Sequence, residues 1–243
     1  MSLVFACIAP HGDVDLDPAL RPAMEELGRR AAAAQPDVAV VVTPHSVHVE
    51  GHFAVVTSGK VGAYETDTAT AEALLEADLP ILSVSYGSNY TELAEFPIDW
   101  GAEIPLEFVR APKVVVVSPA RDRPFAEHLQ LGREIASNRL LQGTRVALIA
   151  SADHGHAHTE DGIYGYHPDA ARYDTLLQEI LASDRMDFEP LAEFVENGTA
   201  DSLWQLLVLQ GAVGEAARAD VLAYAAPTYY GMLVADVSVQ TAA

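Results

Sequence analysis

Residues 145–158, RVALIASADHGHAH, join an unbroken apolar run to a segment holding three of the chain's nine histidines. The run has the length and continuity of a strand buried on both faces, as in the centre of a sheet covered by helices. Similar runs recur at 3–9 (LVFACIA), 38–43 (VAVVVT), 53–59 (FAVVTSG), 79–86 (LPILSVSY), 113–119 (KVVVVSP) and 230–239 (YGMLVADVSV). Helical stretches alternate with them. Residues 18–34 carry Leu20, Met24 and Leu27 on one face, residues 66–78 open with Thr and Asp cap candidates, and 124–138 follows. Residues 168–184 begin with Pro168 at the first helical position, and 199–217 reads as helix after a mostly helical passage from 185. Strand alternating with helix predicts an α/β fold, with a largely parallel or mixed central sheet flanked by helices.

The chain has 243 residues, and no linker, repeat or low-complexity tract divides it, so residues 1–243 read as a single domain. Its formal charge is −21, from 14 basic and 35 acidic side chains. Such a surface repels phosphate backbones and anionic lipid, so neither nucleic acid nor a membrane is an expected partner. One cysteine, Cys7, lies inside an apolar run; it permits no intrachain disulfide and reads as a core residue of a cytoplasmic protein. There is no basic segment ahead of the first apolar run, and no apolar run approaches the ~20 residues of a membrane helix.

In α/β sheets ligands gather beyond the carboxyl ends of the strands. His11 follows the first run; His45, His48 and His52 follow the second; His154, His156 and His158 follow RVALIA. A single histidine there commonly caps a turn or meets a carbonyl. Three sequence-remote strand ends that finish in imidazole point to a site, because buried imidazoles cost desolvation unless paired or bound, and they are preferred ligands of Zn and Fe. Zinc-finger cysteines, H-E-x-x-H, G-x-S-x-G, a P-loop and G-x-G-x-x-G are all absent. Two histidines, a carboxylate and open positions suit a non-haem Fe(II) oxygenase.

Several pieces of the chain, in order, resemble the LigB-type class III extradiol ring-cleavage dioxygenases, especially their Memo-like branch. They are IAPHGD, PDVAVVVTPHSV, DWGAEIPL, PFAEHLQLGREIA, IASADHGHAH and SLWQLLVLQGA, spanning residues 8 to 212. The resemblance implies Fe(II) held by His11, His45 and a carboxylate, with His156 as the acid–base group, and cleavage by O2 of a catechol-like or aminophenol-like aromatic substrate. His154 and His158 would line the same mouth or lie on the surface. Where the family's third ligand is a glutamate, this chain has none at the helix start. Asp201 is the nearest carboxylate and Glu196 the second, while Asp201 also suits a helix cap. Trp100 stands where ring-cleaving members have a histidine, and offers the substrate a stacking wall or makes only a core contact.

Tyr229 or Tyr230 would touch a phenol-like ligand, or serve in aromatic packing. Tyr164, Tyr166 and His167 form either a pocket rim or an aromatic staple. His48 and His52 flank Glu50 as orienting groups for His45 or as loop residues, and His128 reads as solvent-facing. Two other readings stay open at this point, a Zn-dependent hydrolase using the same ligands and a Memo-like binding protein without enzymatic activity. So do self-association and a small partner subunit.

Overall fold

The computed structural model describes residues 2–88, 90–137 and 143–239. In chain order these form β1 (Ser2–Ala9), α1 (Leu20–Ala34), β2 (Val38–Val42), β3 (Phe53–Val56), β4 (Lys60–Val61), β5 (Tyr64–Glu65), α2 (Thr68–Leu75), β6 (Ile81–Val84), β7 (Glu95–Phe96) and α3 (Trp100–Phe108). They continue with β8 (Lys113–Ser118), α4 (Phe125–Ser137), β9 (Arg145–Ser151), α5 (Pro168–Ala182), α6 (Ala192–Gly198), α7 (Leu203–Val213), β10 (Ala219–Ala225) and β11 (Met232–Val237). Eight strands make one mixed sheet in the order β10-β11-β1-β9-β2-β8-β3-β6, and β5-β4-β7 form a small second sheet.

The four central strands β1, β9, β2 and β8 are mutually parallel, so their carboxyl ends share one edge. Their continuous apolar sequences follow from burial on both faces. Val38, Val40 and Val42 point into a core shared with Leu131, Tyr173, Leu177 and Leu206, from α4, α5 and α7. Ala39 and Val41 point the other way, to Leu20, Met24 and Leu27 of α1 and Leu106 of α3. Each Val, Leu or Ile so buried contributes about 1.5–3 kcal/mol. Cys7 is buried in that second core, and burial drives its thiol pKa far up, as suits an inert packing residue.

The α/β architecture is as the alternation of runs predicts, and Pro168 is the first residue of α5, where the His167 ring accepts the Asp169 amide at 3.2 Å. The differences are local. The run 79–86 is strand only from Ile81 to Val84, at the sheet edge, where its side chains are half-buried or exposed. The helix expected over 199–217 occupies Leu203–Val213, so Asp201 lies just ahead of it; the chain then returns as the edge strand β10. The stretch DWGAEIPL is helical despite Pro105. Of the helix expected over 124–138, residue 138 lies outside the described residues. His128 is not solvent-facing. It is fully buried on α4, donating from Nδ1 to the Pro124 carbonyl at 3.1 Å, edge-on to Phe53. Among the described residues no helix is long and apolar enough to cross a membrane.

Candidate metal centre

The parallel strands set the geometry. His11 lies two residues past β1, His45 three past β2, and His156 five past β9, the strand between those two. His11 and His45 meet edge to edge, with Nε2 atoms 2.9 Å apart and ring planes at 89°. Asp201, brought in from the loop before α7, sets Oδ2 3.7 Å from Nε2 of His45. One ligand atom from each of His11, His45 and Asp201 falls within 4.8 Å of the other two. Glu196 is exposed on α6 and has no part in this cluster.

The two histidine candidates are held by their surroundings. Pro105 has no N–H, so the Gly101 carbonyl one turn earlier in α3 lacks its helical donor. Ser151, the last residue of β9, donates its hydroxyl proton to that carbonyl instead. With its only proton committed, Ser151 Oγ accepts from Nδ1 of His11 at 3.0 Å, which leaves Nε2 of His11 as the lone-pair nitrogen. Gly101 is required by proximity: a Cβ there would lie 2.3 Å from Thr43 Oγ1 and 3.1 Å from His45 Cδ2. Thr43 Oγ1 accepts the His45 amide at 3.3 Å, and the Trp100 ring lies against His45 with centroids 4.7 Å apart.

The electrostatics suit a cation. Burial, then the neighbouring His45, His156 and His154, push the His11 pKa well down. Burial, then the Arg121 and His156 charges, lower His45 to about 4. Both rings are therefore neutral at pH 7, the form that ligates metals. Burial lifts Asp201 to about 7, and its Oδ1 is buried with no hydrogen-bond partner. Two neutral imidazoles beside a desolvated carboxylate with an orphaned oxygen form a donor set that a divalent cation completes. The residues present fit a metal of the Fe(II) or Zn(II) kind.

His156 differs from its neighbours in the segment 154–158. β9 ends at Ser151, and the amides that follow bond outward. Those of His154 and His158 go to the carbonyls of Gly231 and Tyr229, and that of His156 goes to Gly198. The His154 ring is fully buried, with Nδ1 2.9 Å from Ser202 Oγ. His158 donates to Asp174 Oδ2 at 2.9 Å. Of the three, His156 lines the cavity shared with His11, His45 and Asp201, a space of about 670 Å³. Trp100, Tyr164, Tyr229 and Tyr230 provide aromatic walls there, with Tyr230 stacked on His156 at 5.7 Å between centroids. Tyr166 is exposed, His167 caps α5, His48 is exposed, and His52 bonds the Glu50 carbonyl.

Two groups in the cavity were not singled out from sequence. Asp153, fully buried, accepts the His11 amide at 3.1 Å and sets Oδ2 3.5 Å from Nε2 of His11; burial and then the Asp201 charge raise its pKa well above the usual range. Arg121 enters from the end of β8. Asp153 stands inside SADHGH, two residues past the strand, and that position was its signal.

The family described as "Catalytic LigB subunit of aromatic ring-opening dioxygenase" matches residues 7–235. Among solved structures, the chain is similar to the crystal structure of the uncharacterized protein JW3007 from Escherichia coli K12, with a TM-score of 0.63 and 18% identity, over 97% of this chain and 100% of that one. At that identity the likeness establishes the fold. No curated protein matches the chain significantly.

Proposed function

The chain belongs to the LigB family of aromatic ring-opening dioxygenase subunits, and from that premise we propose that it is a non-haem Fe(II) enzyme cleaving a catechol-like or aminophenol-like ring with O2. The observation that carries the reading is the convergence of His11, His45 and Asp201 within 4.8 Å, at the strand ends, beside a histidine that is not part of the triad. His11, His45 and Asp201 would hold the metal on one side and leave its other side open to the cavity. Bound Fe(II) would supply the one-electron chemistry that lets O2 react with the ring, which no side chain provides.

The chain's own groups do the rest. The aromatic walls would stack on the ring and hold it flat. Ser151 keeps the lone pair of His11 aimed inward. Nε2 of His156 would take the proton of the second ring hydroxyl and return it as the ring opens. Both atoms of O2 enter the product and one ring C–C bond breaks, so no outside reductant is needed.

Loading the protein anaerobically with Fe(II), adding catechol and following oxygen consumption tests this. One O2 consumed per ring opened, abolished in the zinc-loaded protein, is the expected result. Stoichiometric zinc with metal-dependent hydrolysis and no oxygen uptake would replace the reading with that of a hydrolase.

A further inference from the structure

β6 closes one end of the eight-stranded sheet, and among the described residues no strand lies on its outer side. Phe53 and Thr57 donate their amides to the carbonyls of Pro80 and Val84, both at 2.9 Å. The even-numbered positions therefore turn their backbone groups towards β3, and alternation turns those of Ser83 and Ser85 to the open side. The N–H that Pro80 lacks falls on the β3 side, so this proline does not blunt the outer row.

Exposed sheet edges are ordinarily guarded by charge, by an outward proline or by a bulge. Along β6 none of these is present. Residues 79–91, LPILSVSYGSNYT, carry no charge, in a chain of which 20% of the residues are charged. Four of the ten exposed large apolar side chains among the described residues, Leu82, Tyr86, Tyr90 and Leu93, fall within or just after this stretch, between 39% and 76% exposed. The opposite end of the sheet is guarded. β10 breaks register between Val221 and Ala223, and its Asp220 is tied to Arg30 at 2.7 Å.

Charge and symmetry identify the occupant. Copies of a chain of net charge −21 repel over most of their surface, and approach most easily where the surface has no charge. A strand edge is also complementary to itself. Turned about a two-fold axis, it pairs antiparallel with its own copy, donors meeting acceptors. With the axis beside Ser83, the two Ser83 residues exchange hydrogen bonds, and Leu82 faces Val84 of the partner subunit across the pair. Both open edges are consumed and only the guarded ones remain, so assembly stops at two.

We propose that the protein forms a two-fold dimer through β6, the two eight-stranded sheets continuing into one across an antiparallel β6–β6 pair.

Sedimentation equilibrium of the full chain over a concentration series tests this. A species of twice the 26.0 kDa chain mass is expected. Salt screens the repulsion between the copies, so the dimer should tighten as salt rises, opposite to an interface held by ion pairs. Ser83→Pro removes an outward N–H at an edge position where proline is tolerated, and Leu82→Lys sets like charges near each other across the pair. Each should weaken association ~10-fold or more, while Val221→Lys on β10 should leave it unchanged. Circular dichroism and bound metal serve as folding controls. Where Ser83→Pro unfolds, Leu82→Lys and Ser83→Cys decide. The chain's own Cys7 is buried, so mild oxidation of Ser83→Cys should give a disulfide-linked dimer, the paired Cα atoms being about 5.5 Å apart. A monomer at every concentration up to ~1 mM in high salt overturns the proposal. So does a dimer that survives the edge substitutions in folded protein, one that Val221→Lys abolishes, or one whose Ser83→Cys form does not cross-link.

Discussion

His156 donates from Nδ1 to the backbone carbonyl of His154, 2.6 Å away, and so keeps the lone pair of its ring on Nε2. A carbonyl can only accept, so the tautomer is fixed by the chain two residues upstream. The ring is ready to receive a proton in the cavity. His156→Ala should keep bound iron and lower turnover by ~10²–10⁴-fold. Burial, opposed in part by the His154 carbonyl, brings the His156 pKa below its ordinary 6.5. A base must be neutral, so the acid limb of the pH–rate profile should fall below that value and vanish in the variant. Oxygen uptake across pH, with iron measured in each sample, checks both parts.

Removing a ligand should empty the site without unfolding the protein. His11→Ala, His45→Ala and Asp201→Asn should each bring iron far below one equivalent, the last because it deletes the anionic oxygen at nearly constant shape. Glu196→Gln should keep full metal, since that side chain is exposed on α6. Metal analysis after dialysis, with circular dichroism as the folding control, decides. Full iron in Asp201→Asn would remove Asp201 from the triad.

Asp174 is the buried hub beneath the segment 154–158. It accepts the Gly155 amide at 2.8 Å, His158 at 2.9 Å and the Tyr224 hydroxyl at 2.8 Å. Asp174→Ala leaves three donors without an acceptor, two of them on the segment that presents His156. Loss of about 2–4 kcal/mol of stability is expected, with turnover falling further than iron content. Asp174→Asn, which keeps acceptor capacity on one oxygen, should lose less. Urea unfolding of both variants beside their oxygen uptake would expose the opposite order.

Strand ends were legible in the sequence because continuous β-branched runs betray two-sided burial, and the histidines after them could be counted. The choice among His154, His156 and His158 was not legible from strand periodicity, which gives all three one parity. The chain leaves the strand at Ser151, and the amides of His154, His156 and His158 bond to two other segments, at 229–231 and at Gly198. Resemblance to a family, and not the pattern, singled out His156. Asp153 was hidden by composition, since one carboxylate among 35 carries no contrast. Helix α3 was hidden by Pro105, which lowers helix propensity yet here frees the carbonyl that Ser151 uses. Strand β10 holds the apolar run VLAYA at 221–225, but as an edge strand with Asp220 and Val221 exposed it lacks the two-sided burial of the central strands, and the run went unread.

The chain of contacts from Pro105 through Gly101 and Ser151 to His11 gives the final test. None of the first three touches a metal, yet together they set which nitrogen of His11 faces the site. Ser151→Ala should keep the fold and leave Nδ1 of His11 without its acceptor, so the ring can turn or change tautomer. Metal affinity should fall by the ~10–100-fold typical of removing an orienting partner. Gly101→Ala should act more severely, because its Cβ would press on Thr43 and His45 together. Competition against a chelator gives the affinities. Ser151→Thr, which retains the hydroxyl, should recover most of the loss where the buried methyl is accommodated. Wild-type affinity in Ser151→Ala would mean that packing alone orients His11.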